Sequence, residues 1–435
     1  MKNKLFFTIL LTVMVFKGEA QELSVDAMVR PRFEYRHGFQ DVAPEDVEGS
    51  AFVSQRSALL VKYSDSKITT FLDLQGTSVW GDRPQLSTAD DQGNGGFRVN
   101  RAWALLSLGG GWSTKVGRQF LSYDDQRILG ALGWADQQRT HDAALIRYKN
   151  SSLKLDVGFA FNQNGISNFG NVFQPSGAGQ PVFQYKSLQF LHLNNKFSES
   201  FSGSFLFLNN QFQALDGTGA AIDRFISRHT TGVYSKYKKG AFGLDGSFYY
   251  QFGDFTETVS IGAYQAMLNL TYKPGKTLFG IGAEILSGND PDTADKTEAF
   301  FPLFGTNHKF NGFQDFFYVG RHANNGGLLD LNVKAVFKLG EKSTLLTKAH
   351  YFSGLEDAAF NGTPYEASSY GTSVDLVFTQ KITSYAKLNI GYSQSFLNDD
   401  FANARAGGEA DSIQNWGWVM LTVNPNLFKW NKSKE

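Results

Sequence analysis

Arg30, Arg32 and Arg36 stand at two- and four-residue steps, with Glu34 among them and Val29, Pro31, Phe33 and Tyr35 in the alternate positions. On an extended chain, successive side chains point to opposite faces, so these guanidiniums share one face. A guanidinium stays protonated and offers a planar fork to carboxylate or phosphate, and rows of Arg or Lys line anion pores. Arg118 ends a strand-like segment, and Arg127 and Arg139 sit in the long loop 121–141 beside Asp124, Asp125 and Asp136. Loops of that length are usually functional. We expect this one to fold into a bore and its arginines to help form a constriction. The same charges have a plainer use. Arg30, Arg32 and Arg36 can pair with inward acids such as Asp26, Glu34, Asp73 and Asp375, and Arg127 and Arg139 with the acids of their own loop.

Other chemistry is sparse. The chain has no Gly-x-Ser-x-Gly elbow, no His-Glu-x-x-His and no phosphate-binding Gly-rich loop ending in Lys-Ser/Thr, and we expect neither enzyme nor cofactor. Asp290, Asp292 and Asp295, with Glu298, form an acidic run that is a weak Ca²⁺ candidate, since that ion takes six to eight oxygens. Their spacing is not that of an EF-hand, and a solvated acidic loop explains them better, because loops are usually polar surface. There is no cysteine, which excludes disulfides, thiolate metal sites and a lipid-modified N-terminal Cys.

The elements that must position these residues announce themselves by period. Leu153, Leu155, Val157, Phe159 and Phe161 alternate with Lys154, Asp156, Gly158, Ala160 and Asn162. Such a segment exceeds the ~5–6 residues of an ordinary strand and suffices for the ~9–11 of a tilted transmembrane strand. Eighteen segments of this kind run from Ser24–Arg36 to Asn415–Val423, joined by turns that alternate short and long. That rhythm predicts an all-β fold: a transmembrane antiparallel β-barrel of about 18 strands, with short periplasmic turns and long extracellular loops. A charge on the lipid face costs about 2–4 kcal/mol at midplane, so the charged face of each strand is assigned to the lumen. Leu244 and Phe248 then face lipid opposite Asp245 and Tyr249, and Leu331 and Val333 oppose Asp330 and Lys334. Phe97–Leu108 and Val182–Lys196 do not alternate cleanly and receive no faces. Tyr63, Trp80, Tyr148, Tyr272, Trp416 and Trp418 stand near strand ends, where an interfacial girdle or ordinary packing would place them.

Residues 1–20 read as a signal peptide. Lys2 and Lys4 precede the apolar run Leu5–Phe16, and Gly18 and Ala20 fit a cleavage site after Ala20. Residues 21–435 read as one outer-membrane barrel domain. Without Lys2, Lys4, Lys17 and Glu19, the 41 basic and 41 acidic residues become 38 and 40, a net of −2 that points to no nucleic-acid partner. A mean hydropathy of −0.28 suits a barrel, because half of each strand faces water. Barrels of ~16–18 strands leave an aqueous channel.

The segment Gly117–Tyr148 resembles the alginate-export family of outer-membrane porins. The likeness rests on Gly117-Arg118-Gln119, Tyr123, Arg127, Gly130, Trp134, Arg139 and Asp142-Ala143. A second resembling segment, Gly282–Gly312, contains Leu286-Ser287-Gly288-Asn289-Asp290 and Phe304-Gly305-Thr306-Asn307-His308. The resemblance implies an eighteen-stranded barrel with a basic constriction passing an acidic polysaccharide. From the residues and the resemblance together we expect a passive porin in the outer membrane of a Gram-negative-type cell, surrounded by lipid and lipopolysaccharide. Its cargo would be anionic polysaccharide or small polar solutes, with Arg30, Arg32, Arg36, Arg118, Arg127 and Arg139 as pore-lining or constriction residues. The alternative is a structural or surface-interaction barrel whose long loops bind partners or glycans.

Overall fold

The computed structural model describes residues 21–82, 96–170, 172–175, 184–293, 295–317, 326–360, 362–366 and 368–432. The expected signal peptide with its cut after Ala20, the start of the segment at Val182, and most of the loop 81–96 lie outside these residues. The described strands are β1 (Gln21–His37), β2 (Ser50–Ser64), β3 (Ile68–Val79), β4 (Phe97–Gly109), β5 (Trp112–Gln119) and β6 (His141–Lys149). They continue with β7 (Leu153–Phe161), β8 (Ser187–Lys196), β9 (Phe201–Leu215), β10 (Ala221–Lys239), β11 (Phe242–Asp254) and β12 (Ser260–Tyr272). The last set is β13 (Leu278–Leu286), β14 (Leu328–Lys338), β15 (Ser343–Ser353), β16 (Ser369–Lys381), β17 (Ala386–Leu397) and β18 (Gln414–Val423). Each pairs antiparallel with its sequence neighbours, and β18 pairs with β1, closing an eighteen-stranded barrel. Beyond Pro425, which has no N–H to give the ladder, Asn426–Lys432 resumes pairing with the start of β1. Closure leaves no unpaired edge.

The alternation maps onto the wall as expected. On β11, Phe242, Leu244, Phe248 and Tyr250 are exposed on the outer face, and Ser247, Tyr249 and Gln251 are buried inside. On β14, Leu331 and Val333 face out and Asp330 faces in. The two segments without clean alternation have physical causes. In β4 the register against β3 slips by one at Asn100, because Asp73 pairs with Arg101 and Leu74 with Val99; this bulge puts two consecutive residues on the inner side. In β8, Leu188 and Phe190 point inward and are fully buried, because at that height the bore holds protein instead of water. Trp416 and Trp418 are not girdle residues. Both face the lumen and are buried, and Trp416 donates its indole N–H to Glu34 at 3.0 Å. Trp80 and Tyr272 do stand exposed on the outside.

An apolar core therefore lies within the barrel. Leu121, Ile128 and Leu129 from loop 120–140 and Phe300, Leu303 and Phe304 from loop 287–327 pack on Leu188, Phe190, Leu206 and Leu208 of the wall. A smaller aromatic group, Phe317, Tyr370 and Phe401, sits under helix α1 (Asp399–Ala406). In the Asp290 region the acids are spent on local turn geometry. Asp290 accepts the Asp292 backbone N–H at 2.9 Å in a local turn, and among the described residues no group of three His, Asp or Glu converges on a common point.

Candidate functional site

Loop 120–140 enters the bore and meets loop 287–327 there. Leu129 and Phe304 form a parallel bridge. The Gly130 N–H donates to the Phe304 carbonyl at 2.9 Å, and the Thr306 N–H to the Gln126 carbonyl at 2.8 Å. Arg139 donates to the Gly305 carbonyl at 3.1 Å. The junction needs glycine: a Cβ on Gly305 would lie 2.0 Å from the Arg127 carbonyl oxygen, and one on Gly130 2.3 Å from the Thr306 hydroxyl. The two segments singled out by resemblance are thus two faces of one structure across the bore.

Charged groups tie this bridge to the wall. Asp124 accepts from Ser204 (2.6 Å) and His192 (3.0 Å), and Tyr123 donates to Asp156 (2.8 Å). Arg127, 1% exposed, ion-pairs with Glu284 on β13 and lies 3.6 Å over the Phe310 ring. Asn311 donates to Glu284 and to Asp330 at 2.9 and 3.0 Å. On the facing wall, Arg30 donates to the carbonyls of Gly133 (2.8 Å) and Trp134 (2.9 Å) and to Asp136 (2.7 Å). Arg32 donates to the Trp134 carbonyl (2.8 Å), to Asp136 (3.2 Å) and to Glu34 (2.7 Å). Its guanidinium lies 4.2 Å over the Trp134 ring. Burial alone would push the Asp136 carboxyl up, but Arg32 and Arg30 outweigh it and hold it below the ordinary carboxylate range.

The structure sorts the six arginines. Arg30, Arg32, Arg127 and Arg139 hold the inward loops, so for these the pinning role and the narrowing of the bore coincide. Arg36, paired with Glu34 (2.9 Å), keeps 32% of its side chain exposed against 6% and 5% for Arg30 and Arg32. It opens on a cavity of about 340 Å³ that Arg32, Phe52, Trp134, Asp136 and His308 also line. Trp134 stacks on His308 with ring centres 4.7 Å apart. The cavity thus offers a guanidinium edge beside flat rings, with Glu34 and Asp315 also in its lining. Arg118 is a correction. It shares its parity with Trp112 and Val116, faces outward, and pairs with Asp142 outside the bore. The strand parity decides this, since Gln119, its neighbour, is the inward residue.

Sequence reasoning missed several participants. Arg56 faces the bore and reaches the Ala135 carbonyl at 3.4 Å, a position the alternation of β2 already implied. Asp136 stood out only as one of the loop acids, and neither it nor Glu284 was marked by the sequence as an anchor of the loops. At the short-turn end a second cleft, of about 370 Å³, is lined by Lys149, Lys154, Lys196, Lys236 and Lys238, with Glu199 as its one acid. These lysines come from β6, β7, β8 and β10, so the alternation of four strands gathers them on one side of the bore.

No family model matches the chain, and no curated protein matches it. Its likeness to solved structures is one of fold. OpdK of Pseudomonas aeruginosa, solved with vanillate, superposes with a TM-score of 0.62 at 11% identity, covering 95% of this chain and 100% of OpdK. OccK2 (OpdF) of Pseudomonas aeruginosa, solved in complex with glucuronate, gives 0.61 at 12% identity over 93% of this chain and 97% of its own. A BenF-like porin from Pseudomonas fluorescens Pf-5 gives 0.64 at 12% identity, covering 93% and 99%. These neighbours do not single out the alginate-export family. OpdK is an outer membrane protein and the BenF-like protein a porin, and this chain shares their fold, a β-barrel of the outer-membrane type, closed here by eighteen strands.

Proposed function

We propose that the protein is a passive outer-membrane channel for small anionic solutes, carboxylates on rings above all. The observation that carries this reading is the charge left over inside the bore. At the constriction, acids offset most of the arginines. Beyond it, the row Lys149, Lys154, Lys196, Lys236 and Lys238 faces the short-turn end with a single acid. An anion passing the Arg36 edge therefore meets positive charge onward, and a cation meets a barrier. No covalent step is needed. The vanillate and glucuronate of the structurally similar OpdK and OccK2 are both ring carboxylates, which supports the same class of cargo here.

The resemblance of Gly117–Tyr148 and Gly282–Gly312 to alginate exporters favours a finer reading, export of an acidic polysaccharide. The joined inward loops speak for short solutes over a threading polymer. The deciding experiment is solute flux into liposomes. Glucuronate should enter faster than uncharged glucose, and an alginate oligomer should be excluded. Entry of the oligomer would support polysaccharide export. A barrel that conducts nothing and still binds glycan would support the surface-interaction alternative.

A further inference from the structure

Among the described residues, the outer face of the barrel carries its charges at the rims, with one exception: Arg118 of β5 and Asp142 of β6. Their outward aim follows from parity. Trp112 and Val116 on β5 and Ile146 on β6 share it and are exposed, whereas Gln119, Ala143 and Leu145 on the opposite parity are buried. The guanidinium grips the carboxylate through Nε at 2.9 Å and Nη2 at 2.7 Å, and both side chains remain open, 44% and 52% exposed. Arg118 lies six residues beyond Trp112, and Asp142 six residues from Tyr148, the aromatic pair beside the short turns. At about 3.3 Å per residue and a tilt of 35–45°, this is roughly 15 Å up a lipid-facing band about 25 Å tall. Val116, Ala144, Phe159 and Phe161 border the pair, and Phe97 on β4 stands higher still. Hydrocarbon offers an ion pair no further partner. A protein surface with matching charges does.

We propose that the outer face of β4–β6 docks a second copy of this chain in a two-fold dimer whose axis runs along the membrane normal. The pair is self-complementary under that operation. Arg118 and Asp142 lie side by side on adjacent strands, so half a turn about the normal brings Arg118 against Asp142 of the partner subunit and the reverse, an isologous contact. Four charges then close a ring in which each ion has two partners. The surroundings permit close approach. Ala102, Ala104, Thr114 and Ala144 carry small side chains on this face, and small residues let backbones meet within a membrane. Across the barrel, Leu268, Ile281 and Val333 project from the wall.

The proposal rests on the membrane-spanning reading, and its test separates the two. The chain has no cysteine, so Ala144→Cys places one thiol per copy beside the axis. Oxidation in native outer-membrane vesicles should give a disulfide-linked species of twice the mass, while Ile281→Cys on the far wall stays monomeric. Arg118→Asp should lower the cross-linked fraction of Ala144→Cys about tenfold by setting like charges against each other. Adding Asp142→Arg should restore it. Heat-modifiable gel mobility reports the folded barrel for each variant independently of association. Folded but monomeric Ala144→Cys would overturn the proposal. So would equal cross-linking at both positions, or an adduct of a mass other than twice the chain.

Discussion

Asp136→Asn should loosen the loop that narrows the bore while leaving the barrel intact. Asp136 is shared by Arg30 (2.7 Å) and Arg32 (3.2 Å), whose side chains are 6% and 5% exposed. Removing one member of a buried pair costs roughly 3–5 kcal/mol, because the other charge stays buried. Arg30 keeps the Gly133 and Trp134 carbonyls and Arg32 keeps Glu34, so the lower end applies. About 3 kcal/mol shifts the opening equilibrium of the loop roughly a hundredfold. The wall has its own ladder hydrogen bonds and does not share the loss. Single-channel recording in planar bilayers should show a higher mean conductance and more open–closed transitions, with unchanged heat-modifiable mobility. Traces indistinguishable from wild type would refute the clamp. Acid should act in the same direction. The Asp136 carboxyl titrates below its ordinary value, so its contribution is complete above the unfolded pKa of about 3.9. It is lost only as pH falls through the lower folded value. Protonation of Asp136 should therefore add to wild-type conductance only below about pH 4.

Lys154→Glu with Lys236→Glu should move the reversal potential in a salt gradient toward cation preference; an unmoved potential would remove the lysine row from selectivity. Arg36→Ala should weaken block of the channel current by vanillate or glucuronate about tenfold or more, the worth of a hydrogen bond to a charged group at ~1.5–3 kcal/mol, and leave glucose flux unchanged. Equal loss for glucose would mean that Arg36 only shapes the bore. Gly305→Ala should separate the two inward loops, since its Cβ would meet the Arg127 carbonyl. Faster cleavage within 287–327 by external protease should follow, and resistance equal to wild type would show that the junction absorbs the methyl group.

The eighteen strands were legible because their signal is local. A period of two over Leu153–Phe161 or Phe242–Phe252 is set by the chain's own geometry and by the difference between lipid and water on the two faces. The same local rule placed Arg30, Arg32 and Glu34 inside, and it would have placed Arg118 outside had parity been weighed above motif. It failed where its premises did. The bulge at Asn100 breaks the period, and β8 buries Leu188 and Phe190 inward because a loop fills the bore there. The sequence also showed that loop 121–141 mattered, but not what it would grip. Arg30 and Asp136 are 106 residues apart, and Arg127 and Glu284 are 157 apart. Such partners are chosen only when closure brings distant strands around one bore. Desolvation there makes an unpaired charge costly enough that each guanidinium takes the carboxylate within reach. The alternation of residues thus determined a barrel and which way most side chains point. The closed ring decided which charges cancel, which stay open to a solute, and that one pair faces away from the water altogether.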